Sequence, residues 1–432
     1  MSLSYLEAIE FLYGLQQHGI KLDLETIQAM LAQLGGPQDH YPTLHVGGTN
    51  GKGSTAAMVA AVLRAAGWRV GLYTSPHLVD FRERICVSGV PIAEEAVAEV
   101  TGRLRNVQCS LRPTFFEFTT AMALQHFSDT AVDVAVVEVG MGGRFDATNV
   151  IVPLVSVITN VALDHQQYLG QTVGAIAFEK AGIIKPRVPV VTGRLCPEAA
   201  EVVERVAAER TAPVYRLNSA FVVKSQTADA FGYDGIRASY RSLPCPLLGV
   251  HQLDNAACAL AVTELAGMWG LRVSEDAVRS GLATVSWEGR LEFVEQRPAV
   301  LLDGAHNPAA ARVVEAFVSS YRARHPDCRV ILVLGMMRDK DRKGFLQILL
   351  PVANELVLTQ AQVPRAASVE ELSTSLEAGE VPVHLAPLPA EALVLARRLA
   401  SSQDLICVTG SLMLVGEVKA LLRGCRLSPI RG

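Results

Sequence analysis

The sequence contains no C-x-x-C pair, no long basic block and no apolar run approaching the roughly 20 residues that a membrane-spanning helix needs. Its 8 cysteines are scattered singly from Cys86 to Cys425, which argues against zinc and for reduced, mostly structural thiols in a cytoplasmic protein. With 39 Lys and Arg against 43 Asp and Glu, the net charge of -4 leaves no extended footprint for a nucleic acid, and none is expected as a partner. Small anionic ligands must instead be held by local positive features. The opening stretch MSLSYLEAIEFLYGL lacks a basic flank followed by an unbroken apolar core, so it does not read as a signal peptide, and no membrane partner is expected. Repeats and low-complexity segments are absent. So is a nucleophile elbow, which disfavours a hydrolase.

What is present is a 432-residue chain, 50% hydrophobic, long enough for two or three domains that each bury a core. Short β-branched runs alternate with helix-period segments, the pattern of a parallel α/β sheet. The spacing predicts strands at Thr43–Gly47, Val70–Thr74, Asp133–Val139, Leu154–Thr159 and Val188–Thr192, with helices such as Ser54–Ala66 and Phe116–Phe127 between them. Residues Ala220–Arg241 alternate more weakly and read as a small antiparallel excursion. A second series predicts strands at Ala299–Leu302, Arg329–Leu334, Glu355–Thr359 and Leu405–Val408. The expected division is therefore residues 1–288, a hinge at 289–297 near Trp287-Glu288-Gly289-Arg290, and a second α/β domain at 298–432. Sites in such folds lie at the carboxyl ends of strands, which makes the cleft between the domains the natural place for chemistry.

The strongest local signal is the run from His45 to Thr55, in which a strand enters Gly47-Gly48-Thr49-Asn50-Gly51-Lys52-Gly53-Ser54-Thr55 and opens a long helix. Glycines let main-chain N–H groups curl around phosphate oxygens, and the helix N-terminus adds favourable partial charge. Lys52 is expected to reach the outer phosphates of ATP, with the hydroxyl of Ser54 or Thr55 on magnesium. Gly53 separates the lysine from the hydroxyls, unlike the common phosphate loop, and this speaks against a GTPase or transport ATPase. Glu138 ends the apolar strand Val134-Ala135-Val136-Val137 beside a glycine turn, a suitable place for a carboxylate that holds magnesium.

Together with further motifs in register, this loop resembles the folylpolyglutamate and dihydrofolate synthases of the Mur ligase superfamily. The motifs are GGTNGKGST (Gly47–Thr55), TSPHL (Thr74–Leu78), RERI (Arg82–Ile85), FFEF (Phe115–Phe118), EVGMGGRFDATN (Glu138–Asn149), ALDH (Ala162–His165), EKAGI (Glu179–Ile183), HQLDNAA (His251–Ala257), GRLE (Gly289–Glu292), DGAHNP (Asp303–Pro308) and TGSLMLVGEV (Thr409–Val418). The resemblance implies a P-loop-type central nucleotide-binding domain, a C-terminal Rossmann-like domain and ATP between them. It also implies a two-step ligation, in which a carboxylate attacks the γ-phosphate and glutamate then attacks the acyl phosphate. Two anions must be brought together in that chemistry, so cations and positioning do most of the work.

The same resemblance makes His165 a ligand of a second magnesium ion, with the hydroxyl of Ser75 contributing there. On chemistry alone imidazole is an uncommon partner for a hard cation. It implies that Lys180 is carbamylated and so becomes an anionic oxygen ligand, which requires an amine with a lowered pKa. Asn255, at the start of an alanine-rich helix, is read either as an adenine contact or as part of a capping segment. Arg290, at the presumed hinge, is expected to reach phosphate on domain closure. Asp303 is assigned to ATP, at the ribose, and His306 to phosphate, beside Asn307. The residues expected to carry catalysis are thus Lys52, His165, Lys180 and Arg290.

Thr114, Phe115, Phe116 and Glu117 mix aromatic and hydrogen-bonding groups, as a flat pterin needs. The resemblance adds Phe145, Asp146 and Ala147 to that pocket. Dihydropteroate, reduced folates and L-glutamate are the expected substrates of a monomer, with extension of reduced folates alone as the alternative. Arg338, Lys340 and Arg342 are read either as partners of glutamate's carboxylates or as a solvated charged loop. A peptidoglycan Mur ligase with a UDP-sugar acceptor is the nearest rival, and TSPHL and FFEF speak against it. A non-catalytic nucleotide switch would have no use for Glu138, His165, Lys180 and Arg290 together.

Overall fold

The computed structural model describes residues 3–19, 21–107, 112–225, 230–376 and 381–428. Its first sheet has eight strands. Six are parallel, in the order Val70–Tyr73, Val134–Glu138, Thr43–Gly47, Val155–Ile158, Val190–Thr192 and Val214–Arg216. Ile85–Val87 and Val90–Pro91 extend one edge antiparallel. The central strand shows why these segments read as unbroken apolar runs. Val134 and Val136 join the core beneath the phosphate-loop helix, while Ala135 and Val137 join the core around Phe118 and Phe127. Side chains alternate across a pleated strand, so a sheet covered on both faces needs apolar residues at every position.

The helix Lys52–Ala65 begins two residues before the expected start, because Gly51, at φ 81°, turns the chain into it. It is buried on almost every side, between the sheet, helix His251–Gly267 and helix Glu275–Thr284. A Cβ on Gly281 of the last helix would lie 2.6 Å from the Cα of Val62, so only glycine permits this approach. The weakly alternating segment forms an antiparallel three-stranded sheet, Val222–Ser225, Ala230–Asp234 and Ser239–Pro244, as expected.

The C-terminal sheet runs Glu292–Gln296, Ala299–Leu302, Leu405–Thr409, Val330–Leu334, Glu355–Leu358 and Val383–Leu385, parallel except for its first strand. That first strand corrects the sequence reading. Glu292–Gln296 lies inside the segment expected to be hinge, yet it pairs with Ala299–Leu302 across a tight turn. An edge strand half open to solvent has too weak an apolar pattern to announce itself. The link between domains is thereby confined to the residues before Glu292.

The domains also meet away from the link. Leu78 and Val79, from the TSPHL loop, sit in the core of the C-terminal domain with Met413, Leu414 and Val415. A Cβ on Gly416 would lie 2.1 Å from the carbonyl oxygen of Leu78, so this loop rests directly on the helix Leu412–Arg423. No helix among the described residues is long and apolar enough to cross a membrane.

Two glycines separate packing from propensity. Gly281→Ala is expected to destabilise the protein by about 1–3 kcal/mol through overpacking. Gly102→Ala, in the helix Glu94–Arg105 with open space around it, should be neutral or stabilising by up to about 1 kcal/mol. Urea unfolding midpoints of both variants check the contrast.

Candidate active site

The phosphate loop leaves strand Thr43–Gly47 at the carboxyl end of the sheet and is clamped by the neighbouring strand end. Thr49 N donates to Asn160 O at 2.9 Å, Asn50 N to Asn160 Oδ1 at 3.0 Å, and Thr159 Oγ1 to Asn50 O at 2.6 Å. Gly48, at φ 142°, leaves no room for a side chain, since a Cβ there would lie 1.9 Å from Thr159 Oγ1. A Cβ on Gly51 would meet Asn255 Oδ1 at 2.4 Å, so Asn255 is packed directly on the loop. The clamp residues Thr159 and Asn160 escaped the sequence reading, because a threonine and an asparagine at a strand end carry no pattern of their own.

Lys52 is half-buried at the helix start, and its Nζ donates to Thr49 O at 3.1 Å. Burial pulls its pKa down, opposed by the charges of Glu138 and Asp164. Glu138, 4% exposed, accepts from Ser75 N at 3.0 Å, and burial raises its pKa. Lys180, also 4% exposed, donates to Gly48 O at 2.9 Å. Burial and the charge of Lys52 lower its pKa to about 7. All three side chains line one cavity of about 380 Å³ with Thr49, Asn50, Gly51, Gly53 and Ser54, and with Ser75 and Asn255.

The second domain closes the same cavity with Arg290, Asp303, His306, Ala309 and Ala310. Arg290 is half-buried, its Nη1 donating to Gly289 O at 3.0 Å. Asp303 accepts from Leu291 N and Ala305 N, each at 2.8 Å, and burial raises its pKa. The domains are joined through Asp164, which accepts from Lys340 Nζ at 2.5 Å and from Asn307 Nδ2 at 3.0 Å, with His306 Nε2 3.4 Å away. Burial works against its ionisation, yet the hydrogen bond and charge of His306 and the charges of Lys340 and His165 hold the carboxyl well below the usual range. Asn50 and Asn307 exchange amide hydrogen bonds across the same boundary.

His165 adopts the left-handed conformation, φ 50°, with Nε2 3.3 Å from Lys340 Nζ. Burial, then the charge of Lys340, lowers its pKa to about 4, which keeps the imidazole neutral. Of the three charged residues read from the loop after strand Val330–Leu334, only Lys340 reaches this region. Arg338 pairs with Glu371, and Arg342 donates to Glu371 O. Arg194, His251 and Asp254 line the far end of the cavity. Arg194 carried no signal because its partner, Asp254, is distant in sequence.

The residues read as a pterin pocket separate by role. Thr114 and Glu117 form a capping box at the start of helix Phe115–Asp129, with Thr114 N donating to Glu117 Oε2 at 2.7 Å. Phe115 is buried against Phe81, under the guanidinium of Arg84. Asp146 accepts from Met141 N and Thr148 N, and Ala147 is buried, so both shape the turn after Glu138. Phe116 and Phe145 are only half-buried. The Phe116 ring covers Gly140, where a Cβ would meet it at 2.4 Å, and the face of Phe145 carries Arg144 at 4.7 Å.

Among the described residues no group of three His, Cys, Asp or Glu could hold a metal ion. The donors that do converge, the hydroxyls of Ser54 and Ser75 and the carboxylate of Glu138, are hard oxygens. Of the two hydroxyls expected there, Ser54 lines the cavity and Thr55 does not. Such a sparse set fits magnesium, which keeps waters and takes substrate phosphates, and not zinc.

A phosphate loop facing a second α/β domain, with lysines and a carboxylate between them, defines an ATP-dependent ligase of the Mur type. The Mur ligase middle domain model matches residues 46–263, and the Mur ligase glutamate ligase domain model residues 289–412. The chain is 33% identical to the dihydrofolate synthase/folylpolyglutamate synthase of Bacillus subtilis, over 98% of this chain and 100% of that one. Its fold is similar to that of Escherichia coli FolC in complex with DHPP and ADP, with a TM-score of 0.89, 34% identity and 98% of each chain covered. The bifunctional folylpolyglutamate synthase/dihydrofolate synthase of Yersinia pestis, complexed with AMPPNP and Mn ion, gives a TM-score of 0.87 at 33% identity, covering 97% of this chain and 98% of that one. The chain belongs to the Mur ligase family, in its dihydrofolate synthase/folylpolyglutamate synthase branch.

Lys340→Met would leave Asp164 buried without its cation; the two side chains are 8% and 7% exposed. Breaking such a pair costs about 3 kcal/mol. The loss should fall on the domain contact, and small-angle scattering should then show a larger radius of gyration than for the native protein.

Proposed function

We propose that this chain joins L-glutamate to dihydropteroate, giving dihydrofolate, and to reduced folates, extending their glutamate tail, with ATP converted to ADP and phosphate. The observation that carries this reading is the convergence of Lys52, Lys180, Glu138, Arg290 and His306 on one cavity walled by both domains. Membership of the synthase branch supplies the acceptor class. Both walls of the site come from one chain, which supports a monomer, and the described cysteines are unpaired, which supports the cytoplasm.

In this reading the main-chain N–H groups from Gly51 to Ser54 cradle the phosphates of ATP, while those of Asn50 and Thr55 are engaged within the protein, and Lys52 reaches the terminal phosphate. The acceptor enters beside Phe116 and presents its carboxylate to the γ-phosphorus. One oxygen bonds to phosphorus as the bond to ADP breaks. Arg290 and His306 face the phosphoryl group as its charge redistributes, where a preorganised cation is most effective. The amine of glutamate then attacks the acyl carbon, loses a proton and expels phosphate. Closure of the Asp164 contact excludes water, which would otherwise hydrolyse the acyl phosphate.

Ser54 and Glu138 would hold one magnesium ion and His165 with a modified Lys180 a second; Ser75, expected at the second ion, has its amide on Glu138, and its hydroxyl would join the first. When bound, these ions neutralise phosphate charge. Lys180 suits carbamylation because the reaction needs its neutral amine: nitrogen bonds to carbon dioxide, a proton leaves, and a carboxylate results. An amine with a pKa of about 7 is mostly neutral at pH 8 and mostly protonated at pH 6.

Two measurements test these assignments. Purified protein with ATP, magnesium and glutamate should glutamylate both dihydropteroate and tetrahydrofolate, as read by mass spectrometry. Glutamylation of tetrahydrofolate alone would leave only chain extension, and no product with either would remove the folate assignment. For Lys180, ¹³C-bicarbonate should yield a carbamate NMR resonance that grows from pH 6 to pH 8 and is missing in Lys180→Ala. A Lys180→Ala spectrum identical to the native one would refute the modification at this residue.

A further inference from the structure

The nucleotide end of the cavity poses a problem of recognition. A purine is a flat, weakly polar ring, and a site that holds it needs a planar face as well as hydrogen bonds at its edge. None of the described residues lining the cavity is Phe, Tyr or Trp. The imidazoles of His165 and His306 lie at the phosphate end, beside Asp164. His251 sets its ring edge against the Gly249 backbone, where a Cβ would meet its Cε1 at 2.6 Å.

Two guanidinium planes line the cavity, and since Arg290 is the one assigned to phosphate, Arg194 is left for the base. Arg194 follows strand Val190–Thr192 and forms a two-pronged pair with Asp254 in the first turn of helix His251–Gly267. Its Nε donates to Asp254 Oδ2 at 2.6 Å and its Nη2 to Asp254 Oδ1 at 3.1 Å. Such a fork fixes the guanidinium plane and leaves its face free. The Arg194 side chain is 62% exposed, although it borders the cavity and has an ion partner. Its backbone is pinned from below: Gly193 N donates to Ile158 O at 3.0 Å, and a Cβ on Gly193 would lie 2.1 Å from Thr159 O. Asn255, next to Asp254, is held against Gly51 and donates to Gln252 Oε1 at 2.9 Å, so the edge-recognising amide and the planar fork share one helical turn. Ala309, Ala310 and Val313, from the helix Pro308–Arg324 of the other domain, supply an apolar wall of the same cavity.

We propose that Arg194, held flat by Asp254, is the stacking face for the purine base of the nucleotide and sets the affinity of the site for ATP over a bare polyphosphate. The inference rests on the proposal that the cavity takes ATP. It assigns to an exposed ion pair, which would otherwise contribute little to stability, a part in base recognition.

Calorimetric titration of the full-length protein with magnesium ADP and with magnesium tripolyphosphate tests it. Arg194→Ala should weaken ADP binding about five- to tenfold, the range of a partly desolvated cation–π contact. Arg194→Lys should weaken it as much, because an ammonium keeps the charge and loses the plane. Tripolyphosphate should bind the native protein and both variants alike. Native ADP affinity in Arg194→Ala, full affinity in Arg194→Lys, or an equal loss for ADP and tripolyphosphate would each overturn the inference, the last two by showing that charge alone matters. A native protein that binds tripolyphosphate but not ADP more tightly would overturn it as well. Failure of the native protein to bind either would instead remove the nucleotide reading on which the inference stands.

Discussion

Charge kept out of water is the constraint around which this molecule is arranged. Lys180, Glu138, Asp164 and Asp303 are buried, and Lys52 and Arg290 half-buried, around one cleft. An ion removed from solvent is penalised by several kcal/mol unless partners replace its hydration. The carboxylates find theirs in main-chain amides and in side chains from across the domain boundary. The two lysines have less. Their hydrogen bonds run to main-chain carbonyls, of Thr49 and Gly48, which compensate an ammonium incompletely. Burial therefore lowers both pKa values.

The same constraint explains why the domains meet where they do. Asp164 belongs to the N-terminal domain, but three of the groups that stabilise its charge, Lys340, His306 and Asn307, belong to the other. Its charge is satisfied only in the closed arrangement. Leu78 and Val79 add an apolar contact that ends in the C-terminal core, a few residues beyond Ser75, whose amide holds Glu138. Interdomain packing and the contact of Ser75 with Glu138 are thus continuous along one short stretch of chain.

Much of the fold was legible in the sequence. Strands such as Val134–Glu138 and Val330–Leu334 carry an unbroken apolar signal because both of their faces are covered. The strand Glu292–Gln296 was missed for the opposite reason: every residue in it is partly exposed, and its pairing with Ala299–Leu302 is tertiary information. In the site, the glycines and lysine between Gly47 and Thr55 stood out because a strand that runs into a glycine-rich turn and a helix is a local pattern. The residues read as a pterin pocket carry a less specific pattern. A capping box and an Asp-Ala turn write the same letters into a sequence whether they build a helix end or line a pocket, and here Thr114, Glu117 and Asp146 visibly do the first.

By itself, then, the sequence determined the order of strands and helices, the phosphate loop and the family, because these depend on spacing between near neighbours. Only the tertiary structure decided that Lys340, and not Arg338 or Arg342, crosses to Asp164, that Asn160 clamps the loop, and that Arg194 meets Asp254 beside the cavity. Each of those pairs joins residues far apart in the chain. Which of several charged or polar side chains finds a given partner is fixed by how the sheets and domains pack, and no local pattern records that outcome.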